Sequence, residues 1–138
     1  MTTPAPPGGS VPPTASPRRA AVRAGRGISW FLAAFLTFDA VIHVLNIAPV
    51  VEGSRTLGFD VDVMPWIGAL ELVLVVLYVV PRTAVLGAVL LTGYLGGAFC
   101  AQLRIEAPLF STLLFPVYVG VALWLGLWLR DSRVRNLV

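Results

Sequence analysis

Residues 64 to 104 read MPWIGALELVLVVLYVVPRTAVLGAVLLTGYLGGAFCAQLR, two apolar runs parted only by Pro81, Arg82 and Thr83. Each run is long enough, or nearly so, to cross a hydrocarbon core of ~30 Å at ~1.5 Å per residue. Proline forfeits a helical hydrogen-bond donor and arginine prefers water, so the first run ends near residue 80. A tight helical hairpin then re-enters at Thr83.

Outward from this hairpin, further apolar blocks complete four helices, expected at about 28 to 47, 64 to 80, 84 to 104 and 110 to 129. Composition agrees. The 138 residues are 57% hydrophobic and 12% charged, with a mean hydropathy of +0.85, whereas soluble domains carry about 25% charged residues. The expected fold is therefore all-α, an integral membrane four-helix bundle over 28 to 130, with tails over 1 to 27 and 131 to 138. The opening MTTPAPPGGSVPPTASP has six prolines, two glycines and no aromatic residue. Such a stretch cannot bury enough surface to fold, and the tail over 1 to 27 is expected to be disordered. The longest connection, APVVEGSRTLGFDVDV over 48 to 63, intersperses valines, Leu57 and Phe59 with Glu52, Arg55, Asp60 and Asp62. That mixture suits a segment lying at the membrane interface, either as a lid or as a plain amphipathic connection.

All ten basic residues are arginines. Arg18, Arg19, Arg23, Arg26, Arg82, Arg130, Arg133 and Arg135 fall on one side of the expected bundle, against Arg55 and Arg104 on the other. The positive-inside rule then places both termini in the cytoplasm and the 48 to 63 connection outside. The paired arginines of SPRRAAV precede an apolar run too long for an export signal and without a small-residue cleavage site, so the first helix is expected to be retained. Arginine and alanine without lysine suggest a GC-rich bacterial genome, hence a bacterial cytoplasmic membrane. The sequence pI of about 9.8 reflects orientation and attraction to anionic lipid, and no nucleic-acid partner is expected.

Inside the first block lies FDAVIHVLN, residues 38 to 46, whose Asp39, His43 and Asn46 stand at i, i+4 and i+7, one helix face within about 60° of arc. Asp39 is ~16 Å into the membrane and Glu71 ~10 Å from the opposite surface by helical rise. Intramembrane acids cost ~2.5 to 3.5 kcal/mol each on insertion scales, so these groups should face the bundle interior. Gln102 approaches the outer end of the third helix and Tyr118 sits part-way down the fourth, so these groups share the outer half of the membrane. Two readings follow: a polar pocket for a ligand or protons built from Asp39, His43, Glu71, Asn46, Gln102 and Tyr118, or an interhelical lock of hydrogen bonds. Asn46 also suits a helix end before Pro49. In a low-dielectric interior Asp39 and Glu71 are not expected to be ionised together uncompensated: one of them, Glu71 before Asp39, holds a proton or is balanced by a protonated His43. Gly93, Gly97 and Ala101 form a small-residue stripe suited to helix packing, within the chain or in a homodimer. Trp30, Trp66, Trp124, Trp128 and Tyr78 are placed near the interfaces as an aromatic belt.

Several chemistries find no support. Cys100 is the only cysteine, which excludes self-contained disulfide exchange. His43 is the only histidine, which leaves single-chain haem ligation without a second axial imidazole. Asp39, His43 and Glu71 have metal-ligand types, but three donors lacking a second histidine or cysteine assign no metal. There is no phosphate-cradling glycine motif.

FDAVIHVLNIAPVVE, ELVLVVLYVVPRTAVLGAVLLTGYLGGA and PLFSTLLFPVYVGVALWLGLWLRDSRVRNL together resemble the DoxX-like family of small bacterial four-helix membrane proteins. The resemblance extends from about residue 28 to 138, and its more specific part is PRTAVLGAVLLTGYLGGA followed by PLF and FPVY. It implies a four-helix membrane fold and, through the broader DoxX group, association with membrane oxidoreductase systems linked to quinones. On that basis the expected function is binding of a small lipophilic molecule, with a quinone as candidate cofactor and a redox subunit as candidate partner. The chain has no visible electron carrier, and whether it is an enzyme stays open. The alternative is a non-catalytic scaffold that recruits a partner through its basic tails. A four-helix transporter is disfavoured for want of repeats.

Overall fold

The protein is described here by a computed structural model that covers residues 17 to 136. Within these residues the chain is helical. The order is α1 Pro17–Val44, α2 Ala48–Leu57, a 3-10 turn Val61–Val63, α3 Met64–Val79, α4 Ala84–Arg104, a π-helical turn Leu109–Leu113, α5 Phe115–Arg130 and α6 Ser132–Arg135. Four stretches are long and apolar enough to cross a membrane: Arg18–Val44, Val61–Val79, Ala84–Arg104 and Leu109–Arg130. The protein is an all-α membrane four-helix bundle.

Three boundaries depart from the sequence reading. Residues 17 to 27, expected within a disordered tail, are the opening turns of α1, with Pro17 at a first-turn position where its missing N–H costs nothing. The rest of that expected tail, residues 1 to 16, lies outside the described residues. The 48 to 63 connection, expected as an interfacial segment, contains α2, opened by Pro49 and closed by Gly58 in the left-handed region at φ 71°. The fourth span begins as a wide π-turn before tightening into α5 at Phe115.

α1 and α3 pack against each other, α1 against α5, and α4 against α3 and α5. The shared core is apolar: Leu36, Leu91, Leu123 and Leu127 are buried, together with Tyr78. The outward faces are equally apolar, with Trp66 77%, Phe110 75% and Phe31 72% exposed. An apolar surface of that extent is a lipid contact surface.

The end where α1 begins and α5 finishes is closely packed. A Cβ at Gly126 would meet Ser29 Oγ at 2.9 Å, and one at Gly87 would meet the backbone of Leu77 and Tyr78 at 2.6 Å. Tyr78, expected in an aromatic belt, is fully buried instead. Its hydroxyl donates to the Leu123 carbonyl at 3.0 Å, so the Ser29 hydroxyl, 3.0 Å away, donates to it. Trp124 is likewise a link between helices, its indole N–H donating to Thr92 Oγ1 at 2.9 Å.

The C-terminal arginines close this end. Arg130 lies 4.7 Å over the Tyr78 ring and donates to the Tyr78 carbonyl at 2.7 Å. Arg133 donates to the Pro81 carbonyl at 2.6 Å, and Arg135 to the Leu129 carbonyl at 2.7 Å. Cations thus meet the carbonyl-rich ends of α3 and α5. Asp131 caps α6 by accepting from the Arg133 backbone N–H at 2.9 Å. The Arg133 side chain beside it holds the Asp131 carboxyl below the usual carboxylate range.

Candidate functional site

The opposite half of the bundle is open. A cavity of about 670 Å³ lies between α1, α3, α4 and the start of the fourth span, and Leu57 and Phe59 of the α2 segment also line it. Its walls are mainly apolar, from Phe35, Met64, Ile67, Leu95, Phe115 and Val119 among others. One patch of the lining is polar, with Asp39, His43, Glu71, Tyr94 and Gln102, and Ser111 and Thr112 come from the π-turn.

Gly68 explains how the polar groups meet. A side chain there would meet His43 Cβ and the Val44 backbone nitrogen at 2.8 Å, so only glycine lets α3 lie this close to α1. Glu71 follows Gly68 by three residues, about one helical turn, which brings its carboxyl to the level of Asp39 and His43. The three residues offer donor atoms all within 4.8 Å of one another. His43 Nδ1 donates to the Asp39 carbonyl at 2.8 Å and lies 3.3 Å from Asp39 Oδ2. With Nδ1 committed as donor, the ring's Nε2 is left for another partner.

Glu71 is 1% exposed. Its Oε2 accepts from the Tyr94 hydroxyl at 2.9 Å, while its Oε1 is buried with no hydrogen-bond partner among the described residues. A buried carboxyl oxygen without a hydrogen-bond partner costs about 1 to 3 kcal/mol, which makes this atom a place in the cavity lining where a polar group would be stabilised. A first-row metal ion, with bonds of about 2.1 Å, would hold its ligands roughly 3.4 Å apart, a separation His43 Nδ1 and Asp39 Oδ2 already have at 3.3 Å, while ligand atoms of the three residues as a set lie within 4.8 Å of one another.

The remaining expected site residues divide. Gln102 lines the cavity. Asn46 does not: it ends α1 in the left-handed region at φ 50° and its amide donates to the Val61 carbonyl at 3.3 Å. Tyr118 also lies outside the lining and is about half exposed. Gly93, Gly97 and Ala101, expected as a packing stripe within the chain or in a homodimer, line the cavity, and among the described residues a Cβ at Gly93 or Gly97 would meet nothing within 4 Å. Their small size makes space for the cavity within this chain.

Tyr94, Gly68 and the hydroxyls of Ser111 and Thr112 belong to the site and were not singled out from the sequence. Tyr94 carries a legible signal: a phenol placed mid-span between Gly93 and Gly97, away from the interfacial depths that tyrosine favours. Over the cavity, α2 is tied down by Arg104, whose guanidinium donates to the Leu57 carbonyl.

No curated protein and no solved structure matches the chain. The profile of the DoxX-like family matches residues 28 to 126, which span most of the bundle, all three cavity-lining ionisable side chains and Tyr94. This four-helix membrane protein belongs to the DoxX-like family.

Proposed function

We infer that the cavity binds a small lipophilic molecule with a polar head, a quinone or quinol first among them, as part of a membrane oxidoreductase system. The observation that carries this reading is the unpartnered Oε1 of Glu71 in the wall of an otherwise apolar cavity. A volume of about 670 Å³ falls within the roughly 300 to 1,000 Å³ of small-molecule sites, where apolar walls supply affinity and a few polar groups fix orientation. A quinol hydroxyl donates to Glu71 or Asp39, and a quinone carbonyl accepts from Gln102. Oxidation of a quinol releases two electrons and two protons; Glu71, Asp39 and His43 take up protons, and a partner redox subunit must take the electrons.

The arginine distribution supports a bacterial cytoplasmic membrane with both termini inside, which puts the open half toward the external leaflet. The competing scaffold reading uses the basic tails at both ends, of which Arg18, Arg19, Arg23 and Arg26 are exposed. Arg130, Arg133 and Arg135 are engaged with backbone carbonyls of the bundle itself, which favours the ligand reading over recruitment at the C-terminal end.

The test is binding of a short-chain quinone and its quinol to detergent-extracted protein, followed by native mass spectrometry, for the wild type, Glu71→Gln and His43→Gln. The reading expects a one-to-one complex that weakens at least about tenfold in Glu71→Gln, since a charge-assisted hydrogen bond contributes about 1.5 to 3 kcal/mol. Unchanged binding in both variants, with helicity intact, refutes the site.

A further inference from the structure

A second groove runs along the outside of the bundle between α1 and α3, separate from the cavity and apolar except for Thr37. Trp30, Ala34, Thr37 and Val41 form its α1 wall, and Val76 and Val80 belong to its α3 wall. The α1 wall extends ~16 Å from Trp30 to Val41 by helical rise, about half of a ~30 Å hydrocarbon core, and the facing wall from Val75 to Val80 covers about 8 Å of it at the end nearer Trp30.

The face of α1 that lines this groove does not stop at Trp30. At 100° per residue, Arg19, Arg23, Arg26, Trp30, Thr37 and Val41 all fall within about 60° of arc. The apolar wall therefore continues, on one line, as a stripe of arginines beyond the tryptophan. All three arginines are exposed. On the facing wall of the groove, at the end of α3, Val80 is followed by Pro81 and the exposed Arg82. The Ser29 to Tyr78 hydrogen bond sets the relative level of the antiparallel helices. Arg82, four residues past Tyr78, then falls near the level of Arg26.

We propose that this groove seats one acyl chain of an anionic phospholipid whose phosphate is held by Arg23, Arg26 and Arg82. The apolar length of the α1 wall matches one chain in one leaflet, and the positive groups begin where the headgroup would lie, just beyond an interfacial tryptophan that is 64% exposed. A second copy of the protein fits the groove less well, because a two-fold pairing along α1 brings like arginine stripes together. The site is independent of the cavity and of any quinone.

The experiment uses the full chain in vesicles of mixed phosphatidylglycerol and phosphatidylcholine, with one lipid at a time brominated on its acyl chains. Trp30 fluorescence is taken as the difference between wild type and Trp30→Phe. The proposal expects stronger quenching by brominated phosphatidylglycerol at equal mole fraction. It also expects that preference to fall about fivefold for each arginine changed to glutamine in the Arg23, Arg26 and Arg82 set. Equal quenching of wild type by both lipids overturns it. So does weak quenching by both, which would assign the groove to a second copy.

Discussion

The two halves of this bundle are built from the same four helices and differ in what the glycines of α4 and α5 face, while Gly68 seats α3 against α1 at the edge of the open half. At the arginine-rich end, Gly87 and Gly126 bring helix backbones and side chains to within about 3 Å of where a Cβ would stand. In the other half, Gly93 and Gly97 have nothing opposite them within 4 Å. One half is closed by hydrogen bonds from Ser29, Tyr78 and Arg130, and the other keeps a cavity with an unpartnered carboxylate oxygen. Without a hydrophobic force between helices in lipid, close packing and buried hydrogen bonds must hold the bundle. The closed half can supply that cohesion, which leaves the open half free to keep a cavity.

Substitutions that exchange the two roles of glycine should break this contrast most sharply. Gly87→Ala drives a methyl into backbone atoms of Leu77 and Tyr78 that cannot move aside, and should cost about 3 kcal/mol, the upper end of overpacking penalties. Gly97→Ala should leave thermal stability in detergent unchanged or raise it by up to about 1 kcal/mol through helix propensity. Equal destabilisation by the two would show that the halves do not differ in packing.

The paired tyrosines sharpen the comparison at a smaller scale. Tyr78→Phe removes the donor to the Leu123 carbonyl and the acceptor of the Ser29 hydroxyl, and should lower stability by about 1 to 3 kcal/mol with ligand binding intact. Tyr94→Phe removes the donor to Glu71 Oε2. Its main effect should be on ligand affinity, about tenfold, measured by titration of a short-chain quinone.

The smallest effect is expected at Asp131. Its carboxyl is held below the usual range by Arg133, so its contribution is complete above the ordinary carboxylate pKa and is lost as pH falls through the lower folded value. Fraying of α6, followed by hydrogen exchange of its amides, should therefore begin only below about pH 4. Asp131→Asn should make that exchange insensitive to pH over the same range, after correction for intrinsic rates.

Much of the architecture was legible because lipid imposes long apolar helices. The bounds of α4 follow directly from the hairpin at Pro81 and the polar arginine at 104. The Asp39 and His43 pair was legible from helical spacing, and Glu71 from the cost of burying an acid in lipid. What hydropathy does not encode is direction. Tyr78 lies at interfacial depth but points inward, and Gly93 and Gly97 reveal a bare backbone without revealing what faces it. The early start of α1 was missed because proline and arginine weigh against an apolar span, although Pro17 at a helix opening is itself a start signal. Asn46 shares the helical spacing of Asp39 and His43, but α1 ends at Val44, before that face can continue.

The central claim is that the space beside Glu71 is a binding site, and filling that space tests it most directly. A Gly93→Leu/Gly97→Leu variant places bulk where nothing lies within 4 Å of either Cβ, leaving the closed half and the Glu71 cluster untouched. Titration with a short-chain quinone should show affinity reduced at least about tenfold while thermal stability holds within about 1.5 kcal/mol. Affinity equal to that of the wild type in a folded double variant would contradict the account.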